Sequence, residues 1–318
     1  MLNSIREISI ADAKTFDSLT RLALPHDSLS WHTLNVWDRH GSARFFVLAD
    51  EVIVGLSQGI STDDNYWAIL SETTELPEIM KQLYAGNLPT TTDVDWRKIH
   101  FSLASQGVAD ILQGANYSSY RIEENRDDSE YIYHAADLID PVGKRMRRYK
   151  YNLLLFDRLH EGRAVQIDEL PHDTDSLRQL IDLMSAWNDG PIAPGNDKSG
   201  DEQIALEHLF EMNLTEAFHI YRVMIDEEIA AFGIIRHVPE SAMLIVPHLK
   251  CDYRYRAIFD KSLHLILGLA AKSIAFDEVN LSSDMGIPGL RQHKTGLRPV
   301  RMQSIYRVIP TESIDEID

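Results

Sequence analysis

Three short cationic segments gather the residues of this chain best suited to chemistry. In SSDMGIPGLRQHKTGLRPV, residues 282–300, Asp284 and Gly286 precede Pro288, and Arg291, Lys294 and Arg298 follow. Gly286 permits a tight turn in which Asp284 can accept amide hydrogen bonds. Pro288 suits a first helical position, where its missing N–H would find no partner anyway. The spacing predicts a helix over Pro288–Thr295 with Arg291 and Lys294 on one face and Ile287 and Leu290 turned inward. A helix start with two aligned cations can hold an anion or a carboxylate. Asp284, directly or through a held water, is the candidate catalytic acid–base group.

The second segment, KRMRRYK at Lys144–Lys150, has five cations in seven residues. At helical spacing Lys144, Arg147 and Arg148 share a side, and Arg148 aligns with Asn152. The third runs from Lys250 to Ser262 (KCDYRYRAIFDKS), with Lys250, Arg254 and Arg256 between a strand end and a long helix. Arg291, Lys294, Lys250, Arg254, Arg256, Lys144, Arg147, Arg148 and Asn152 are the candidates for substrate or anion binding. A solvated helix face accounts for the second segment equally well, and a capped surface helix for the first.

The elements that must position these groups follow from the pattern. Of 318 residues, 44% are hydrophobic and 25% charged, an ordinary globular composition, and the length suggests two domains. The net charge of −18 repels polyanions, so any nucleic-acid contact would need a local basic patch. The acidic runs Glu123–Glu130 and Glu312–Asp318 read as a solvated loop and a frayed end. Cys251 is the sole cysteine, which excludes an intramolecular disulfide or a cysteine metal cluster. With no HExxH, paired-histidine spacing or GxSxG, no metal site and no permanently bound cofactor are expected. No apolar run reaches the ~18 residues of a membrane span. The opening residues carry acids and have no apolar core, so no signal peptide and a cytoplasmic protein are expected.

Periodicity in the second half predicts a helix from Lys144, another after Asp173 or Thr174, and a third over Gly200–Asn213. Strands are expected at Phe218–Ile225, Ile229–His237 and Ala242–Leu249, then a buried helix at Arg256–Lys272 and strands at Phe276–Leu281 and Met302–Ile309. The first half repeats this alternation more loosely. Its expected strands are Arg44–Ala49, Val52–Ser57, Asn65–Ile69, Lys98–Leu103 and Tyr131–His134, and its helices Ala11–Ala23, Glu75–Tyr84 and Val108–Gly114. The layout is α+β, with domains expected at 1–138 and 139–318.

Several motifs bear a family resemblance. DMGIPGLRQHK resembles the D-L-G-x-x-G-L-R-x-x-K signature of the phosphatidylglycerol lysyltransferase C-terminal domain-like family, matching at Asp284, Gly286, Gly289, Leu290, Arg291 and Lys294. SEYIYHAADL with GKRMRRYKYNLLLF is similar to its tyrosine-rich strand and following helix, with Gly143, Lys144, Lys150, Asn152 and Phe156 in register. LKCDYRYRAIF resembles its E-K-A-D stretch at Lys250 and Asp252. LSWHTLNVWDRHGSARFFVLADEVIVGLSQG is similar to the family's opening. The chain departs from the pattern at Leu249, where the family has an acid, at Ala257, where a glycine starts the helix, and at Leu297-Arg298-Pro299.

The resemblance implies two tandem GNAT-like domains, each a central mixed, mostly antiparallel sheet flanked by helices. It also implies acyl transfer by the C-terminal domain, with an aminoacyl group moved from an aminoacyl-tRNA-type donor to an amine or hydroxyl of a small-molecule or peptide acceptor. Such family members carry a membrane-spanning half that this sequence does not show. An acetyl-CoA-dependent N-acetyltransferase and a non-catalytic ligand-binding protein on the same fold stay open as alternatives.

Overall fold

The computed structural model describes residues 4–8, 26–60, 64–115, 117–188, 199–212 and 218–311. The chain packs as two compact units, Met1–Ser129 with Gln303–Asp318, and Glu130–Met302. The expected division at 138/139 and the observed one differ because a single long strand carries the chain from the first unit into the second, and the last strand carries it back.

The first unit contains β1 (Ile5–Ile8), α1 (Trp31–Val36), β2 (Arg44–Leu48), β3 (Val52–Gln58), β4 (Asn65–Leu70), α2 (Leu76–Tyr84), β5 (Phe101–Ser105) and α3 (Gln106–Ala115). Strands β1 to β4 pair antiparallel in order, and β5 joins β4 in parallel. The C-terminal strand, Arg301–Pro310, pairs antiparallel with β5. Its core is aromatic: Phe46, Trp67 and Trp96 are all buried, with ring centroids 5.1–6.1 Å apart. The helix expected at Ala11–Ala23 lies outside the described residues.

The connecting strand is β6 (Tyr120–His134). The acidic run expected as a loop is its middle. Asn125 and Ser129 are buried while Glu123, Glu124 and Asp127 stay exposed, so the carboxylates keep their water. The Ile305 amide and the Ser304 hydroxyl of the final strand bond to Ser129 Oγ and Glu124 Oε1.

The second unit continues with α4 (Ala135–Ile139), α5 (Arg147–Leu159), β7 (Val165–Leu170), α6 (Thr174–Asn188), α7 (Ser199–Glu211), β8 (Phe218–Ile225), β9 (Glu228–Val238), β10 (Met243–Cys251), α8 (Ile258–Ala270), β11 (Glu278–Ser283) and α9 (Pro288–Gly296), before the final strand β12. The sheet runs β7-β8-β9-β10-β11-β6, antiparallel except at β10/β11. Strand β7 has no counterpart in the sequence expectation, because its outward face is polar and pairs across to β8 through Asp168–Arg222 and Glu169–His219. Against the sheet pack Tyr149, Leu153 and Phe156 of α5 and Ile258, Leu263, Ile266 and Leu267 of α8. At ~25 cal/mol per Å² of apolar surface buried, these rows dominate the unit's stabilisation.

Candidate functional site

The site begins where two parallel strands part. Strands β10 and β11 pair only at Met243–Ile245 with Glu278–Asn280, although β10 runs on to Cys251 and β11 to Ser283. Each strand bulges immediately past the last shared pair. Between Ile245 and His248 β10 gains one residue on β9, whose partners are Arg236 and Ile234. Between Asn280 and Ser283 β11 likewise gains one on β6, whose partners are Ile132 and Glu130. A bulge bends its strand and sharpens the local twist, and two in adjacent strands open a cleft.

The sequence explains both bulges. Pro247 has no N–H for a ladder and falls inside the first. The second is held by buried Asn280, which donates to Glu130 Oε2 at 2.6 Å and accepts the Ser282 amide at 2.7 Å. Ser282 takes a left-handed φ of 57°, and its hydroxyl donates to the Val246 carbonyl at 3.3 Å, where the strands separate.

The DMGIPGLRQHK segment forms the turn and helix that leave β11. Asp284 is fully buried and accepts four hydrogen bonds. Arg291 grips it with Nε on Oδ2 (2.9 Å) and Nη2 on Oδ1 (2.7 Å), the Tyr131 hydroxyl donates to Oδ2 (2.5 Å), and the Gly286 amide to Oδ1 (3.0 Å). Burial pushes this carboxyl up, but Arg291, Tyr131 and the Gly286 N–H outweigh it and hold it at about 2. Gly286, at φ 73°, supplies the left-handed step of the turn. Lys294 turns inward and donates to the Leu281 and Ser283 carbonyls at 2.5 and 2.6 Å, while Tyr133 donates to the Lys294 carbonyl at 2.7 Å. The expected pair of ligand-facing cations therefore has internal partners. Arg291, Lys294 and Asp284 lock α9 to β11 and β6.

The other expected residues fall in two further groups. On β10, Lys250 pairs with Glu202 of α7, so a carboxylate from another element stands beside the lysine where the family has its acid at position 249. Arg254 pairs with Asp252, and Arg256 is exposed without a side-chain partner among the described residues. Loss of solvent, then the Lys250 charge, holds the His248 ring down to about 3. Burial pushes the Cys251 thiol up, so it is inert as a nucleophile.

The second group lines a small cavity among α5, α8 and α9, open to solvent, with Arg148, Asn152, Asp260, His293 and Gly296 in its walls. Asn152 Nδ2 donates to Asp260 Oδ2 at 2.5 Å. Asp260 is 3% exposed, and its Oδ1 lies 3.2 Å from His293 Nε2 without a well-aligned hydrogen bond. A Cβ on Gly296 would stand 3.3 Å from Arg148 Nη1, so the arginine tip lies close over that glycine. Of the expected anion-binding residues, the structure brings Arg148 and Asn152 together here. Lys144 and Arg147 are exposed. His293, on the short helix of DMGIPGLRQHK, reads from the sequence as a packed or solvated histidine, and its meeting with Asp260 was not legible because the two are distant along the chain and no motif joins them.

Helix α8 starts at Ala257, whose φ of 64° is left-handed. The missing glycine thus leaves the turn intact at a cost of ~1 kcal/mol in strain. Ala257→Gly should raise unfolding stability by about that amount, read as a higher urea midpoint at unchanged slope.

Parallel strands parting beside a helix start, in a mixed sheet, form a GNAT-like fold. The chain belongs to the family described as phosphatidylglycerol lysyltransferase, C-terminal, whose model matches residues 77–309. It is an acyltransferase, which sets the non-catalytic alternative aside. No curated protein matches the chain. Among solved structures, a conserved protein of unknown function from Bacteroides thetaiotaomicron VPI-5482 superposes with a TM-score of 0.75 at 18% identity, covering 97% of this chain and 100% of that one. L-PGS from Bacillus licheniformis follows at 0.60 and 15%, covering 95% and 92%. A tandem GNAT protein from the clavulanic acid biosynthesis pathway has 0.52 and 7%, covering 96% and 98%. At these identities the likeness is one of fold.

Proposed function

We propose that the cleft between β10 and β11 binds the activated ester of an aminoacyl-tRNA-type donor and passes its aminoacyl group to an amine or hydroxyl acceptor. The parting of the two strands carries this reading. It leaves the β10 backbone from Val246 onward without a β11 partner, so its amides can meet a developing oxyanion. The acceptor attacks the ester carbonyl, the new C–N or C–O bond forms, and the bond to the ribose oxygen breaks. The departing oxygen takes the acceptor's proton.

Asp284 is saturated by donors and acts as a positioning residue, holding α9 against β11. Lys250, Arg254 and Arg256 stand at the strand end and helix start that would receive donor phosphates, and Arg147 and Arg148 at the start of α5, with Lys144 in the turn before it, extend that basic patch toward a tRNA. Glu202, beside Lys250, offers a carboxylate to the aminoacyl ammonium. Two tandem GNAT-like domains and a cytoplasmic location complete the proposal. Among the described residues no helix is long and apolar enough to cross a membrane.

One observation favours acetyl-CoA as the alternative donor: Ala257 adopts the left-handed turn that a pyrophosphate cradle needs. Release of a labelled amino acid from tRNA, set against calorimetric binding of acetyl-CoA, separates the two. Release without micromolar acetyl-CoA binding is the expected outcome.

A further inference from the structure

Helix α5 presents two opposite faces, and the core explains only one. Tyr149, Leu153 and Phe156 are buried against the sheet. On the far side Arg147, Tyr151, Leu154 and Arg158 recur at i, i+4, i+7 and i+11, with Lys150 alongside. Tyr151 is 60% exposed and Leu154 56%, with Leu159 and Val142 close by in sequence. Four of the seven large hydrophobic residues exposed among the described residues lie between positions 142 and 159, so the outward apolar surface is concentrated in one segment.

The charge of this segment runs against that of the chain. Residues 142–159 hold six cations and one acid, whereas the whole carries −18. The acid, Asp157, is taken by Lys261. Arg147, Lys150 and Arg158 have no side-chain hydrogen bond or ion pair among the described residues, whereas Arg44, Arg222, Arg291 and Arg301 are each matched to carboxylates. A surface that only needed water would not set leucines and a tyrosine between unpaired cations.

We propose that this outward face of α5 docks on an anionic membrane surface. Tyr151 and Leu154 would enter the headgroup boundary, and Arg147, Lys150 and Arg158 would rest on lipid phosphates with their stems lying along the apolar layer. Aliphatic side chains favour a lipid surface over RNA, because nucleic-acid platforms use aromatic rings and an exposed leucine offers a base nothing to stack on. The association is peripheral, through one helix face, and of its residues only Arg147 is shared with the tRNA patch proposed above.

Flotation of the full chain with phosphatidylcholine vesicles, with and without phosphatidylserine, tests this. The protein should float with the anionic vesicles at low salt, stay behind with neutral ones, and be released as salt rises. Lys150→Glu with Arg158→Glu should weaken binding roughly a hundredfold, and Leu154→Ser about tenfold. Circular dichroism checks that each variant keeps its fold. Binding that none of these substitutions changes, or absent from anionic vesicles at low salt, overturns the proposal. So does a result in which the variants lose only affinity for tRNA, which would assign the face to nucleic acid.

Discussion

Asp284→Ala is expected to lower the unfolding free energy by about 3 kcal/mol, the low end of what removing one partner of a buried ion pair costs. The low end applies because the Arg291 side chain is 38% exposed and can regain water once its partner is gone. The loss is still large, since Tyr131, buried, would face an empty site and the Gly286 amide would lose its acceptor. The effect should depend on pH. The Asp284 carboxyl is depressed from 3.8 to about 2, so its stabilisation is fully present above the unfolded value and fades as pH falls through the folded one. Urea unfolding of wild type and variant should differ fully at neutral pH and converge between about pH 4 and 2. A gap that persisted below pH 2 would assign the loss to packing rather than charge.

Lys294→Met is the next largest expected effect, about 2 kcal/mol of stability. The methionine fills much of the volume of the lysine stem, so the loss reports the ammonium. That ammonium donates to the Leu281 and Ser283 carbonyls, which no longer have it as a donor in the variant. Freed burial of a charge offsets part of the cost, which is why the figure stays well below the sum of two charged hydrogen bonds. Because these carbonyls belong to the β11 bulge, faster amide exchange around Leu281–Ser283 should accompany the loss. Equal exchange in both proteins would mean that the bulge is held by Asn280 alone.

The order of elements in the second unit was legible because its helices carry clear stripes, such as Tyr149, Leu153 and Phe156, and its strands are apolar runs. Strands with a polar face were not: β7 and the acidic middle of β6 hide their pairing in charges that stay in water. At the site, the residue types of DMGIPGLRQHK showed a turn, a helix start and two cations. Their direction could not be read, because Arg291 reaches back seven residues to Asp284 and Lys294 turns to carbonyls of the preceding strand. Family patterns preserve such internal locks as readily as ligand contacts. Pro247 was the visible trace of the cleft, as a proline inside an otherwise regular strand. The Asp260–His293 cavity needed the packing of three helices to exist at all.

The central claim is that the parted strands receive an aminoacyl ester. Incubation of the chain with tRNA charged with a labelled amino acid, in the presence of amine and hydroxyl acceptors, tests it most directly. Protein-dependent loss of label from the tRNA and its appearance on an acceptor are expected. Label that stays on the tRNA while acetyl-CoA binds at micromolar concentration and is consumed would contradict it.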